Sequence, residues 1–164
     1  MCPDSLQQRT FRTATADDTQ LLGRAIAARL RGGEWLLLLG PLGAGKTTFV
    51  RGLARGLGYD GTVRSPTFTL VAVYGTRPVL VHADLYRLDE GASVDDLGLY
   101  DLAAEGDAVV VVEWADRCPE LGLGRNAVAV SIALDEDPSC DIRSLRFSRS
   151  GSTSERFWRE VECL

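Results

Sequence analysis

Short apolar runs alternate with amphipathic segments along most of this chain. Leu22, Ile26 and Leu30 recur four residues apart, which predicts a helix with one buried face. Residues 35–39 and 109–112 are apolar at every position, a pattern typical of strands that are covered on both faces of a parallel sheet. The pattern therefore predicts the α/β class, with helices that flank a central sheet.

Further segments fit the same plan. Thr15-Ala16-Asp17-Asp18 resembles a capping box that would begin the first helix. Strands are predicted over residues 7–14, 68–74, 79–83, 127–134 and 143–148, a helical stripe over Phe49, Val50, Leu53, Ala54 and Leu57, and a terminal helix or tail over residues 154–164. Residues 89–107 mix helix signals with Gly, and their expected anchors are Leu97, Leu99, Tyr100 and Leu102. Because few helices separate the late strands, we expect a mixed sheet, mostly parallel with an antiparallel part.

The composition is that of an ordinary globular protein. Of its 164 residues 45% are hydrophobic and 25% charged, and this length predicts one domain over residues 1–164. Apolar runs such as residues 35–39 fall far short of the roughly 18 residues that a membrane-spanning helix needs. Residues 1–5 lack the basic start and apolar run of a secretory signal, and the four Cys residues are scattered. We therefore expect a reduced, cytoplasmic protein that does not contact a membrane.

The charge balance bears on nucleic acid. Lys and Arg number 18 and Asp and Glu 23, which gives a net charge of −5. Proteins that hold nucleic acid by themselves usually carry a basic face. We therefore expect that any contact with RNA is local or passes through other proteins.

The strongest chemical signal is the glycine-rich turn after residues 35–39. Gly40-Pro41-Leu42-Gly43-Ala44-Gly45-Lys46-Thr47 satisfies the phosphate-binding pattern G-x-x-x-x-G-K-[ST] at every fixed position. Glycines let successive backbone N–H groups point at phosphate oxygens, and the following helix adds its free N–H groups and the positive end of its dipole. In this pattern Lys46 reaches the β- and γ-phosphates, and the hydroxyl of Thr47 binds Mg²⁺.

Two carboxylates are candidates for the acidic partner of the metal. Asp84 and Glu113 each end an apolar strand, at the edge where open α/β sheets bind their ligands. Either can hold Mg²⁺ through water or activate the attacking water, and the sequence does not rank them. Ser65-Pro66-Thr67-Phe68 is either an ordinary turn or a hydroxyl-rich loop that senses the γ-phosphate. For His82 and Trp114 we expect mainly a structural role.

Four segments between Gly40 and Trp114 together resemble a known family. In chain order they read GPLGAGKTTFVRGLARGLG, SPTFTLV, HADLYRL and VVEW. In this combination they are similar to the TsaE family (older name YjeE) of bacterial P-loop ATPases, whereas the likeness beyond Arg117 is weak. The resemblance implies participation in making threonylcarbamoyladenosine at position 37 of tRNAs that read codons starting with A. It implies an accessory protein that binds and hydrolyses ATP with Mg²⁺ and acts on the TsaB–TsaD pair, in which TsaD is the transferase.

The same resemblance implies roles for individual residues. The implied catalytic residues are Lys46, Thr67, Asp84 and Glu113. The implied nucleotide-binding residues are Thr15, Gly43, Ala44, Gly45, Lys46, Thr47, Thr48 and Arg143, of which Thr15 and Arg143, with Thr19, would border the adenine. The implied metal ligands are Thr47 and Glu113.

Two other functions stay open. A small-molecule kinase would use the same phosphate loop, but such enzymes usually carry an arginine-bearing lid, and after Glu113 we find only Arg117 and Arg125 as candidates. A non-enzymatic module would bind nucleotide only to fix its own shape for a partner. Because no arginine finger is evident, we expect slow intrinsic hydrolysis and a site that partners complete.

Overall fold

Seven strands and four α-helices make up the part of the chain that this computed structural model describes, residues 7–88, 94–104, 107–122, 125–136, 141–149 and 153–164. The strands are β1 Gln8–Thr13, β2 Trp35–Leu39, β3 Val71–Tyr74, β4 Leu80–Asp84, β5 Val109–Glu113, β6 Ala127–Leu134 and β7 Arg143–Arg149. The helices are α1 Ala16–Ala27, α2 Lys46–Gly56, α3 Leu99–Ala104 and α4 Glu155–Glu162. Short 3₁₀ turns span Val94–Leu97, Ala115–Arg117 and Pro119–Gly122. None of the helices in these ranges is long and apolar enough to cross a membrane.

The strands form one sheet in the order β1-β7-β6-β2-β5-β4-β3. The central strands β6, β2, β5 and β4 are mutually parallel, whereas the pairs β1–β7, β6–β7 and β3–β4 are antiparallel. The sheet is therefore mixed, as predicted, but its parallel share is smaller than predicted. Residues 75–79 and 135–142 link the antiparallel pairs β3–β4 and β6–β7, and connections this short cannot return the chain to start a parallel neighbour.

Both faces of the sheet are covered. Helices α1, α2 and α4 lie on one face, where Ile26, Phe49 and Trp158 are buried. Helix α3 and the 3₁₀ turns lie on the other face, where Leu99 and Leu121 are buried. The remaining predicted anchors, Leu97, Tyr100 and Leu102, pack against this second cluster. Strands β2 and β5 lie between the two clusters, which explains why their sequences are apolar throughout.

Helices α1 and α2 approach each other through glycines. A Cβ on Gly52 would lie 2.2 Å from the carbonyl oxygen of Gln20, and a Cβ on Gly23 would lie 2.5 Å from that of Phe49. Backbone contact at this distance leaves no room for a side chain. The close approach fixes α2, whose first residue follows the glycine-rich turn, against α1 and the sheet.

The helix ends follow the predicted signals. Thr15 caps α1, because its Oγ1 accepts a hydrogen bond from the backbone N–H of Asp18 at 3.0 Å. The Asp18 carboxylate accepts in turn from the N–H of Ala14 at 3.1 Å, one residue earlier than in an ideal capping box. Ser154 caps α4 by accepting from the N–H of Phe157 at 3.2 Å, so of the two alternatives for the C-terminal segment, helix or tail, the structure shows a helix.

One strand begins later in the structure than the sequence predicts. The strand predicted over residues 68–74 begins only at Val71, because residues 67–70 form a turn that ends with Leu70 at a φ of 64°. Residues 89–93 and 105–106 of the segment predicted to mix helix and Gly lie outside the described residues, as do Cys2 and Cys140. The other two cysteines are free thiols, Cys118 buried and Cys163 exposed.

Candidate functional site

The glycine-rich turn connects β2 to α2, as predicted. Gly40, Gly43 and Gly45 have φ values of 143°, 79° and 103°, which glycine adopts without the strain that a Cβ would bring. At Gly40 a Cβ would also lie 2.3 Å from the carbonyl oxygen of Ile132, whereas at Gly43 it would meet nothing within 4 Å. The conformation of the turn therefore requires glycine, and Gly40 is needed for the close approach to β6 as well.

Lys46 is the first residue of α2 and folds back over this turn. Its Nζ donates hydrogen bonds to the carbonyl oxygens of Gly40 at 2.6 Å and Pro41 at 2.9 Å. The same atom lies 3.7 Å from the ring centroid of Trp114, within the range of a cation–π interaction. Burial lowers the pKa of Lys46, and the negative charge of Glu113 opposes this shift. An ammonium held in this way can turn to an anion in the loop by releasing two neutral acceptors.

Thr47 and Glu113 contact each other directly. Oγ1 of Thr47 donates to the Glu113 carboxylate and lies 2.9 Å from Oε1 and 3.1 Å from Oε2. Glu113 ends β5 and is only 2% exposed, and Oε1 also lies 2.9 Å from Nε2 of His82. A hydroxyl and a carboxylate are hard oxygen ligands of the kind that Mg²⁺ prefers.

The donor set therefore fits a magnesium ion. Within the described residues no group of three or more His, Cys, Asp and Glu forms a metal cluster. In phosphate-binding loops one or two protein oxygens suffice for Mg²⁺, because water and phosphate oxygens complete the shell.

Asp84 lies next to Glu113 but holds a different part of the chain. The two residues are opposite each other in the parallel pairing of β4 and β5. Oδ2 of Asp84 accepts hydrogen bonds from the hydroxyls of Ser65 and Thr67, the latter at 3.0 Å. Its Oδ1 accepts from the backbone N–H of Tyr86 at 2.9 Å. Asp84 thus fixes the hydroxyl-rich loop, whereas Glu113 is the carboxylate that holds Thr47.

These side chains line one cleft of about 250 Å³ in front of the turn. Residues 43–48 line it, and so do the remaining predicted catalytic residues, Thr67, Asp84 and Glu113. The structure therefore brings together every residue predicted to be catalytic or to bind the phosphates and the metal.

Four further residues line the cleft without being predicted as site residues: Leu42, Ser65, Tyr86 and Trp114. Ser65 stands two residues before Thr67 in the same loop and donates to the same oxygen of Asp84, so its place in the hydroxyl-rich motif was the signal for it. The rings of Tyr86 and Trp114 lie 5.0 Å apart at the mouth of the cleft. The one signal for these two residues was their position just after the carboxylates that end β4 and β5.

The residues predicted to border the adenine lie at the loop but outside the cleft lining. Nε of Arg143 donates to the carbonyl oxygen of Ala44 at 3.1 Å, and the same atom would lie 3.3 Å from a Cβ on Gly45. The methyl group of Thr19 would lie 4.0 Å from that Cβ, and its Oγ1 donates to the carbonyl oxygen of Thr15 at 3.1 Å. Arg143 and Thr19 thus flank the loop, with Thr15 one helical turn away, and their role toward adenine stays a prediction.

Comparisons of the sequence and of the structure with known proteins point to the same family. The sequence model of a family described as threonylcarbamoyl adenosine biosynthesis protein TsaE matches residues 13–143, a range that contains the whole cleft. A Bacillus subtilis protein named tRNA threonylcarbamoyladenosine biosynthesis protein TsaE is 36% identical over 159 residues, which cover 95% of both chains. A protein of the same name from Treponema pallidum is 45% identical over 107 residues, 63% of this chain and 76% of its own. The crystal structure of Bacillus subtilis YdiB is similar with a TM-score of 0.73 and 30% identity, covering 98% of this chain and 95% of that one.

Proposed function

This chain belongs to the TsaE family, and we propose that it binds ATP with Mg²⁺ and hydrolyses it to support threonylcarbamoyladenosine modification at position 37 of tRNAs that read ANN codons. In this proposal the chain acts in the cytoplasm on the TsaB–TsaD transferase complex and meets tRNA only through that complex. The observation that carries the proposal is the convergence of Lys46, Thr47 and Glu113 on one cleft in front of a glycine-rich turn.

The loop and the start of α2 bind the phosphates in this proposal. Backbone N–H groups of residues 43–48 and the positive end of the helix dipole attract oxygen anions. Lys46 adds a full positive charge at the same place. Thr47 and Glu113 would hold Mg²⁺, whose positive charge would offset the negative charge of the phosphates.

The hydroxyl-rich loop faces this phosphate site from the side of Asp84. In the proposal Thr67 turns its hydroxyl to the γ-phosphate, and Asp84 orients the attacking water. Support comes from the hydrogen bonds that tie Ser65 and Thr67 to Oδ2 of Asp84, because they place the loop and the carboxylate at the edge of one cleft.

A partner protein completes the site. Among the described residues that line the cleft none is an arginine, and in related enzymes an arginine supplied by a partner speeds phosphoryl transfer. The same observation weighs against a small-molecule kinase. Arg125 packs 4.0 Å over the ring of Tyr100 and 5.0 Å over that of Trp35, and Arg117 lies 5.6 Å over Tyr86. Neither guanidinium lines the cleft.

The decisive experiment is reconstitution with purified partners. tRNA modification over many cycles is measured with TsaB, TsaD and tRNA, with and without this chain, and phosphate release is followed in parallel. We expect the chain to raise both, and we expect Lys46→Ala to abolish the increase while Arg55→Ala, on the exposed side of the same helix, retains it. Hydrolysis at background level with and without partners would refute the ATPase, and a phosphorylated metabolite in place of free phosphate would indicate a kinase.

A further inference from the structure

A buried histidine that the proposed function does not use contacts the metal-site carboxylate. Nε2 of His82 lies 2.9 Å from Oε1 of Glu113, and the His82 side chain is 0% exposed. His82 stands two residues before Asp84 in β4, so the two side chains project from the same face of the sheet. Glu113 is opposite Asp84 in the register, and its carboxylate lies within reach of both His82 and Thr47.

Histidine is an unfavourable choice for this position if it serves only as packing. Its Nδ1 is buried and has no hydrogen-bond partner among the described residues, and a buried polar atom without a partner costs about 1–3 kcal/mol. The neighbouring Leu80 and Val111, which pack in the same cluster, are apolar and fully buried. An apolar side chain at position 82 would avoid the cost, so the reason for the histidine lies in what Nε2 does.

The direction of the hydrogen bond follows from the partner. A carboxylate that binds Mg²⁺ is ionised and only accepts, so in the metal-binding state Nε2 of His82 carries the hydrogen and donates it to Glu113. The Glu113 carboxylate then accepts from His82 on one side and from Thr47 on the other. With both contacts in place the carboxylate is confined to one orientation, with Thr47 at its edge.

We propose that His82 is a positioning residue, which orients the Glu113 carboxylate for Mg²⁺ binding without touching the metal or the nucleotide. The inference rests on the proposed function, because it assumes that Thr47 and Glu113 form the magnesium site. Residues that orient a metal ligand in this way typically contribute about 10- to 100-fold to metal affinity. His82 therefore acts on the Mg²⁺ dependence of nucleotide binding, not on nucleotide binding itself.

The test compares His82→Leu with His82→Gln. Leu removes the donor, whereas the amide nitrogen of Gln can replace Nε2. Binding of a fluorescent ATP analogue is titrated with Mg²⁺ and is also measured in EDTA. For His82→Leu we expect the Mg²⁺ concentration at half-maximal effect to rise about 10- to 100-fold, with unchanged affinity in EDTA, and for His82→Gln we expect most of the loss to be recovered.

A second comparison identifies the route of the effect. If His82 acts through Glu113, His82→Leu has no further effect on the Mg²⁺ titration in a Glu113→Ala background, because coupled residues are not additive. If Leu prevents folding, His82→Phe carries the same test, since it keeps an aromatic ring and lacks a donor. If the folded Leu or Phe variant gives the same Mg²⁺ titration as the wild type, the inference about His82 is overturned, while the proposed magnesium site is not affected. Nucleotide binding by the wild-type chain that is indifferent to Mg²⁺ would overturn the magnesium site and this inference with it.

Discussion

Replacing Lys46 by methionine removes one positive charge from the cleft and keeps an unbranched side chain of similar length. In the free protein the ammonium donates to the carbonyl oxygens of Gly40 and Pro41 and lies over the ring of Trp114. Nucleotide binding, as proposed here, exchanges these neutral acceptors for phosphate oxygens. A methionine can still pack against Trp114, because a thioether makes favourable contacts with aromatic rings. The substitution thus tests the charge with little change in the shape of the cleft.

The expected loss is the difference between two states of the lysine. A unit charge pair at 4 Å contributes about 4 kcal/mol at an effective dielectric constant of about 20. Two charge-assisted hydrogen bonds to carbonyl oxygens, worth about 1.5 kcal/mol each at the low end, are given up when Lys46 turns to a phosphate. The net contribution to ATP binding is then about 1 kcal/mol, which at about 1.4 kcal/mol per factor of ten corresponds to a roughly 5-fold loss of affinity.

The assay is equilibrium binding of a fluorescent ATP analogue, with thermal unfolding to check that each variant is folded. The matched control is Arg55→Met, which removes one positive charge from the exposed side of the same helix. We expect the control to bind like the wild type. An unchanged affinity in a folded Lys46→Met variant would refute the placement of the lysine on the phosphates, and an equal loss in the control would show that only the overall charge matters.

Three other predictions concern the metal, the pH and the helix packing. Thr47→Val removes the hydroxyl and should abolish the Mg²⁺ dependence of nucleotide binding, while Thr47→Ser should keep it; equal Mg²⁺ titrations of the two variants would contradict this assignment. Lys46 must be protonated to hold a phosphate, and burial lowers its pKa below the ordinary 10.5. Nucleotide affinity should therefore fall as the pH rises through that lowered pKa. The Lys46→Met variant should not show this fall. Gly52→Ala would place a Cβ 2.2 Å from the carbonyl oxygen of Gln20 and should destabilise the fold by about 1–3 kcal/mol in urea unfolding. Gly75→Ala, where a Cβ meets nothing within 4 Å, should cost little, and equal stabilities of these two variants would refute the proposed helix contact.

The sequence was sufficient to predict the glycine-rich turn and its place in the fold, because the pattern that specifies it is local. Glycines, lysine and threonine follow one another within residues 40–47, and the structure places this turn between a strand and a helix. The strand ends were also predictable from their apolar runs, which put Asp84 and Glu113 at one edge of the sheet. Only the family resemblance favoured Glu113 over Asp84 as the partner of Thr47. The apolar runs alone could not decide, because the answer depends on how β4, β5 and α2 lie relative to one another in space.

The same limit applies to the helices and to the hydroxyl-rich loop. The apolar stripes of α1 and α2 predict that each has a buried face, but no local pattern says that the two helices touch through Gly23 and Gly52. The strand predicted over residues 68–74 was too long for a related reason. Phe68 and Leu70 are apolar, yet the chain turns there, and the backbone N–H of Leu70 donates to the carbonyl oxygen of Pro66 at 2.6 Å.

Once a strand is assigned, the alternation of its side chains between the two faces of the sheet predicts further neighbours of a site, and His82 is an example. Side chains two residues apart in a strand project from one face, so placing Asp84 at the site also places His82 on the site's side of the sheet. The histidine then interrupts a strand that is otherwise apolar up to Asp84, and a polar residue on a buried face requires a partner. A slip of one residue in β4 would turn both side chains to the opposite face, away from α2. The strand register therefore determines both the position of Asp84 and the contact between His82 and Glu113.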